Sequence, residues 1–104
     1  MNSVNIIGNL ARDVSCKYTT SDDPLAVLNM TVAVNDGYGD RQTTSFISVV
    51  VYGKQAENCE RYLHKGSKVG ITGRIQTGSY EKDGRKVYTT DVIAERVDFL
   101  DSRQ

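Results

Sequence analysis

Apolar and polar residues alternate along most of this chain, which is the pattern of β-strands with one buried face. The clearest case runs through Leu28, Met30, Val32 and Val34, which alternate with polar or small residues. Earlier, Val4–Leu10 and residues 14–20 predict two short strands, or one strand interrupted near residues 11–13. Residues 21–24 then form a predicted turn.

A further predicted strand, Thr43–Tyr52, follows a second turn, which is glycine-rich, at residues 36–40. The strand is rich in β-branched and aromatic residues. Its aliphatic side chains Ile47, Val49 and Val51 share one face, which predicts the core side. Phe46 and Tyr52 therefore fall on the opposite face. Large aromatics at solvent-facing positions need a separate explanation.

After this strand, the spacing of the apolar residues changes from every second residue to about every 3.6 residues. Residues 54–64 predict the single helix, with an apolar stripe at Ala56, Cys59, Tyr62 and Leu63 and with Gly66 placed to end it. Alternation returns at residues 68–75, and Asp83-Gly84 predicts a hairpin turn before a last strand at residues 85–94.

This order predicts an all-β fold, a five-stranded OB-fold Greek-key barrel with one helix between the third and fourth strands. An SH3-like barrel lacks such a helix, and a ferredoxin-like fold needs two. At 104 residues the chain is expected to be a single domain, residues 1–104, with a short tail at residues 100–104.

Composition excludes several classes of protein. With 38% hydrophobic and 25% charged residues the chain is expected to fold. It has no apolar run long enough for a membrane span and no signal peptide pattern, so we expect a cytoplasmic, nucleoid-associated protein without a membrane partner. Cys16, Cys59 and the single histidine, His64, form no metal, redox or triad pattern, so neither catalysis nor a cofactor is expected.

The charges balance, with 13 basic and 13 acidic residues, which argues against a strongly basic nucleic-acid binder. Residues 41–90, however, hold nine of the basic residues and four of the acidic residues. Proteins that bind single strands without sequence preference need flat rings for bases and cations for phosphates. The candidate rings are Tyr38, Phe46, Tyr52 and Tyr80, and the candidate cations are Arg41, Lys54, Arg74, Lys82, Arg85 and Lys86.

Four segments resemble the bacterial single-stranded DNA-binding proteins: Val4–Leu10, Phe46–Glu57, Tyr62–Ser67 and Tyr88–Val92. The resemblance implies a homotetramer of OB-folds, with bases stacked on the same four aromatic residues and basic positions matched by Lys17, Lys54, Lys65 and, closely, Arg74. This chain departs from the family in two ways. It has no tryptophan, and Ser48, Gln76, Gly78 and Ser79 stand where relatives often carry basic residues. Relatives continue through a flexible linker into an acidic tip that recruits replication enzymes, whereas this sequence stops five residues after Phe99. We therefore do not expect this chain to recruit those enzymes.

The leading hypothesis is sequence-independent binding and protection of single-stranded DNA in replication, recombination or repair. Two alternatives stay open at this point. One is an adaptor dimer that resembles primosomal replication protein N. That family, however, departs from the motifs that this chain carries at residues 53–57 and 62–67. The other is an OB module that binds only protein, an interpretation that the zero net charge favours.

Overall fold

The computed structural model describes residues 1–100, so the predicted tail lies outside the described residues except for Leu100. Six strands and one α-helix form in this part of the chain. Their bounds are β1 Val4–Leu10, β2 Cys16–Tyr18, β3 Ala26–Asp36, β4 Thr43–Tyr52, α1 Gly53–Tyr62, β5 Lys68–Lys82 and β6 Arg85–Phe99.

Five of the strands close into a ring of pairings, in the order β1, β5, β6, β4, β3 and back to β1. All neighbours are antiparallel except β4 and β6, which run parallel where Val49 and Val50 meet Val92 and Ile93. The short β2 pairs with β3 next to β1, so both follow the same edge of β3. The sequence-based alternative of one strand interrupted near residues 11–13 therefore describes β1 and β2.

The inside of the ring holds the core. Alternate residues of β3 and β4 point inward, and Leu28, Val32, Val49 and Val51 are completely buried there. Burying a side chain of this size contributes roughly 1.5–3 kcal/mol. The alternation in the sequence therefore predicted the inward faces of both strands correctly.

The ring is tight where β1 crosses β3. A β-carbon on Gly8 would lie 2.4 Å from the Ala33 carbonyl oxygen and 2.8 Å from a methyl carbon of Val32. Glycine at this position lets the two backbones approach closely enough to pair at Asn9–Ala33 and Leu10–Val32.

Helix α1 lies against β3 and ties the edge strand β2 to the ring. Ala56 and Cys59 face the core, whereas Glu60 accepts a hydrogen bond from the Cys16 backbone N–H at 2.8 Å. Burial, and secondarily the nearby Cys16 thiol, raises the pKa of the Cys59 thiol to about 11.

The predicted helix stripe needs a correction at its end. The helix ends at Tyr62, two residues earlier than expected, because the Leu63 backbone is already extended. The Leu63 N–H caps the helix by donating a hydrogen bond to the Cys59 carbonyl oxygen at 2.9 Å. Leu63 is buried as predicted, but Tyr62 faces solvent and lies near the Phe99 ring, with 6.2 Å between ring centroids.

The β5–β6 hairpin is longer than the alternation indicated. It extends from Lys68 to Phe99 and turns at Asp83-Gly84, where both residues have positive φ angles, 53° and 77°. Such angles in both turn residues fix a two-residue hairpin. Within residues 1–100 no helix has the length and apolar character that crossing a membrane would need.

Candidate nucleic-acid interface

Two aromatic side chains stand on the outer face of β4, away from the core. Phe46 lies opposite Ala33 of β3 and Tyr52 lies opposite Val27, so both rings have small or modest neighbours. Their exposed fractions are 67% for Phe46 and 41% for Tyr52. Tyr52 is six positions after Phe46 along the strand, which corresponds to about 20 Å. The two rings thus mark the ends of an open strip of sheet surface.

Lys17 belongs to the same face. It pairs with Val27 from the β2 side, while Tyr52 pairs with Val27 from the β4 side. Directly opposed residues point to the same side of a sheet. The Lys17 side chain and the Tyr52 ring are therefore placed in one cross-strand row.

The outer face of β4 continues into the β5–β6 hairpin. Val50 of β4 pairs with Ile93 of β6, and Ile93 pairs with Arg74 of β5. Counting along the hairpin by twos from Arg74 leads to Tyr80 and then to Lys82, which is opposite Arg85. We call this side of the hairpin the front face, made of Arg74, Gln76, Gly78, Tyr80, Lys82, Arg85, Val87, Thr89, Asp91 and Ile93.

Acidic groups partly offset the cations of the front face. The Arg74 guanidinium lies 3.5 Å from the Glu95 carboxylate, and both side chains are about half exposed. Asp91 is opposite Gln76 on the same face. Since a solvent-exposed pair of this kind is weak, a phosphate can compete with Glu95 for Arg74.

Tyr38 and Arg41 lie in the loop between β3 and β4. A short 3-10 turn, Gly39–Arg41, brings the Arg41 N–H to within 2.9 Å of the Tyr38 carbonyl oxygen. Gly37 permits this turn, because its φ is 98° and a β-carbon there would lie 2.2 Å from the Arg41 carbonyl oxygen. Tyr38 is almost fully exposed, and its loop leads directly into the end of β4 that is nearer to Phe46 than to Tyr52.

The remaining predicted cations lie near the ends of this surface. Lys54 is exposed in the first turn of α1, two residues after Tyr52. Lys65 lies in the loop before β5, where its backbone N–H donates to Asp13 at 2.7 Å. That loop reaches the row of Phe46, because the Asn9 side chain, opposite Ala33, donates to the Gly66 carbonyl oxygen at 3.0 Å.

Lys86 is the predicted cation that the fold places elsewhere. It pairs with Glu81, one position out of step with Tyr80, so it lies on the other side of the hairpin. Its ammonium nitrogen is 5.7 Å from the centroid of the Tyr88 ring. Tyr88 was absent from the residue-based selection of rings. The Asp83-Gly84 turn carried the necessary signal, because counting outward from it gives the register and face of Tyr88.

The described surface offers aromatic rings and cations as binding groups. Among residues 1–100 no three His, Cys, Asp or Glu side chains are grouped to hold a metal ion. What the geometry provides is rings held apart on a strand face, with single cations between and beside them.

Comparison with known proteins gives consistent matches. Residues 1–100 match the family described as "Single-strand binding protein family". Relatives named single-stranded DNA-binding protein are 46% identical in Halalkalibacterium halodurans and 44% identical in Bacillus cereus, each over 99% of this chain. Single-stranded DNA-binding protein 3 of Listeria innocua is 44% identical over 100% of it.

This chain spans 62% of the length of the first two of these relatives and 66% of the third. The matched part includes every strand of the ring and the helix. The resemblance seen in the sequence and the predicted OB-fold are thereby confirmed, and this chain belongs to the single-strand binding protein family.

Proposed function

We propose that this chain binds single-stranded DNA without sequence preference and without catalysis, and that it coats exposed strands during replication, recombination or repair. One observation carries the proposal. Phe46, Tyr52 and Tyr80 are exposed on the same side of the sheet, which runs from β4 into the front face of the hairpin.

Stacking on these rings explains both properties of the proposed binding. Every base presents a π-face, so an aromatic ring holds any base about equally well. The faces of bases in a duplex are already stacked on their neighbours, which leaves nothing for Phe46 or Tyr52 to contact. Preference for single strands and indifference to sequence therefore have the same cause.

Phosphates are assigned to the cations along the same path. Lys17 stands in the row of Tyr52, Arg74 lies where β4 meets the hairpin, and Lys82 and Arg85 flank the hairpin turn. Lys54, Lys65 and Arg41 extend the path at its ends. These cations are separated along the face, so we expect a modest dependence of affinity on salt, with stacking supplying the larger share.

We also propose a homotetramer. Outside the ring, Ile7 of β1 is 58% exposed and lines a groove of about 280 Å³ together with Gly70, Ile71 and Leu100. Much of β1 pairs only with β5, so part of its other edge is open. Contact between copies would cover this apolar surface and this strand edge. Light scattering at micromolar concentration tests the subunit number, and a dimer would favour the adaptor alternative.

The binding experiment compares a thymidine oligomer of about 65 nucleotides, enough for four sites of up to 16 nucleotides, with a duplex of equal length. We expect quenching of tyrosine emission and tight binding with the oligomer only. A mixed-sequence single strand should bind with similar affinity. Equal affinity for the duplex, or no binding of oligothymidine, would overturn the proposed function.

A further inference from the structure

The outer part of the β5–β6 hairpin has two open faces. Pairing of β5 with β1 stops at Gly73, and pairing of β6 with β4 begins at Val92. Between these points, from Gln76 to Asp91, the hairpin strands pair only with each other. None of these residues is buried. Both sides of the hairpin can therefore receive a ligand.

The side opposite the front face continues the core-lining face of the ring. Ile75 and Val92 are opposite each other at the rim of the core, and the same side runs outward past them. We call this outer portion the back face, made of Thr77, Ser79, Glu81, Lys86, Tyr88 and Thr90. It extends beyond the core, so its side chains have no inner layer to pack against.

Tyr88 is the prominent side chain of the back face. It is 73% exposed and lies opposite Ser79, which leaves its ring uncovered by the partner strand. The Lys86 ammonium stands over the ring at 5.7 Å from its centroid. An uncovered ring beside a cation, with the Ser79, Thr77 and Thr90 hydroxyls nearby on the same face, is the combination that stacks a base and holds a phosphate.

Charge favours a nucleic-acid strand over a protein surface as the occupant. A protein that covered Tyr88 would also remove the Lys86 ammonium from water, at a cost that only a well-placed carboxylate offsets. A strand of DNA brings one phosphate with every base. The single acidic residue of the back face, Glu81, lies directly opposite Lys86. Both side chains are exposed, so this pair is weak and a phosphate can compete with the Glu81 carboxylate for the Lys86 ammonium.

We propose that the back face is a second binding site for single-stranded DNA, in which Tyr88 stacks a base and Lys86 contacts a phosphate. The segment held there is a different part of the strand from the one on the front face, so a long strand crosses the hairpin and contacts both sides. This proposal rests on the proposed function and adds to it a separate path for the strand.

Crosslinking locates the two segments directly. Thymidine oligomers of about 8 and about 65 nucleotides carry 5-iodouracil in place of single thymines. Each oligomer is mixed with the protein and irradiated to form crosslinks, and the crosslinked protein is then digested with trypsin. Tyr80 falls in the peptide Ile75–Lys82 and Tyr88 in the peptide Val87–Arg96, so mass spectrometry separates them. At one short oligomer per chain, the front face should fill first, because it joins the Phe46 and Tyr52 rings. We expect Ile75–Lys82 to crosslink with both lengths and Val87–Arg96 with the long oligomer only.

Substitutions give an independent measurement. Tyr88→Ala should weaken binding of the long oligomer by about 5- to 100-fold and leave the short one unchanged, whereas Tyr88→Phe should preserve both affinities. Lys86→Ala should make the salt slope shallower by about 0.7 for the long oligomer alone. Lys82→Ala, on the front face, is the matched control and should act on both lengths.

Three results would overturn the back-face site. They are unchanged binding of the long oligomer by Tyr88→Ala, an equal loss with both lengths, and a change in subunit number, which would make Tyr88 an interface residue. Failure of the proposed function is distinguishable from all three, because the unsubstituted protein would then bind neither oligomer.

Discussion

Lys17 and Tyr52 lie in one cross-strand row on the outer face of the sheet, with Val27 between them. Neighbouring strands are about 4.8 Å apart, so the two residues are held about 10 Å from each other across the sheet. The backbone register of three strands fixes this arrangement. The fold therefore positions a cation and a ring relative to each other without the help of a ligand.

The two rings on the outer face of β4, Phe46 and Tyr52, give the first prediction. Tyr52→Ala and Phe46→Ala should each weaken binding of a long oligothymidine by about 1–3 kcal/mol, because each removes one stacking surface. Tyrosine or labelled-DNA fluorescence titration measures the change. The midpoint temperature of thermal unfolding should stay nearly the same in both variants, since both side chains face outward.

Tyr62→Ala is the matched control for these rings. Tyr62 is also an exposed aromatic residue, but it lies at the end of α1 beside Phe99 and belongs neither to β4 nor to the front face. We expect its removal to leave DNA affinity unchanged. Normal binding by the Phe46 or Tyr52 variant would remove that residue from the interface.

The Arg74–Glu95 ion pair gives the second prediction. Glu95→Gln should strengthen binding and steepen the dependence of log affinity on log salt by up to about 0.7, because Arg74 then becomes fully available to a phosphate. Arg74→Gln should change the slope by about the same amount in the opposite direction. Affinities measured at several salt concentrations give both slopes.

Asp98→Asn provides the control for this charge change. Asp98 pairs with Arg96 at 2.9 Å, but it lines the groove beside β1 instead of the front face. Its substitution removes the same carboxylate charge at a different site. Because that groove is the proposed contact between copies, light scattering checks that the variant keeps the subunit number of the unsubstituted protein. An equal effect of Asp98→Asn and Glu95→Gln would indicate that overall charge, and not release of Arg74, determines the result.

The close approach of β1 and β3 gives the third prediction. Gly8→Ala should lower the free energy of unfolding by about 1–3 kcal/mol, because the new methyl group meets the Ala33 carbonyl and Val32. Urea denaturation measures the loss. Gly78→Ala is the control, since its methyl group would meet only the Thr89 hydroxyl, at 3.2 Å, on the exposed hairpin. Equal stability of the two variants would contradict the tight contact.

The buried thiol of Cys59 gives the fourth prediction. Its pKa in the folded protein is about 11, against 9.0 for an unperturbed thiol, so the folded state keeps its proton where the unfolded state has lost it. The free energy of unfolding should therefore fall between pH 9 and pH 11, by up to about 2–3 kcal/mol. Denaturation at several pH values, compared with Cys59→Ala, isolates this contribution. An identical pH dependence in both proteins would show that Cys59 does not titrate as inferred.

Strand faces were more predictable than strand lengths. Alternation identified β3 and the two faces of β4, because a strand with one buried side must carry apolar residues at every second position. The outer hairpin, residues 76–82, is polar on both sides and has no such alternation. It forms a strand through pairing with β6. β2 was overestimated, because its pairing with β3 extends only from Cys16 to Tyr18.

The helix illustrates a different limit. A period of 3.6 correctly placed Ala56 and Cys59 toward the core, but it placed Tyr62 there as well. The stripe describes directions around a helix and contains no information on how far the neighbouring strands extend. At Tyr62 the chain already turns to bring Leu63 inward, so Tyr62 remains at the surface beside Phe99.

The sequence alone predicts which side chains of β3 and β4 point outward, and hence that Phe46 and Tyr52 share an exposed face. It also determined the hairpin turn, and with it the opposite directions of Tyr80 and Tyr88. The pairing of Val50 of β4 with Ile93 of β6, which joins the β4 rings to Arg74 and Tyr80, becomes visible only in the folded protein. The reason is physical: backbone geometry fixes directions within a strand, whereas the neighbours of a strand depend on how distant segments close around a common core.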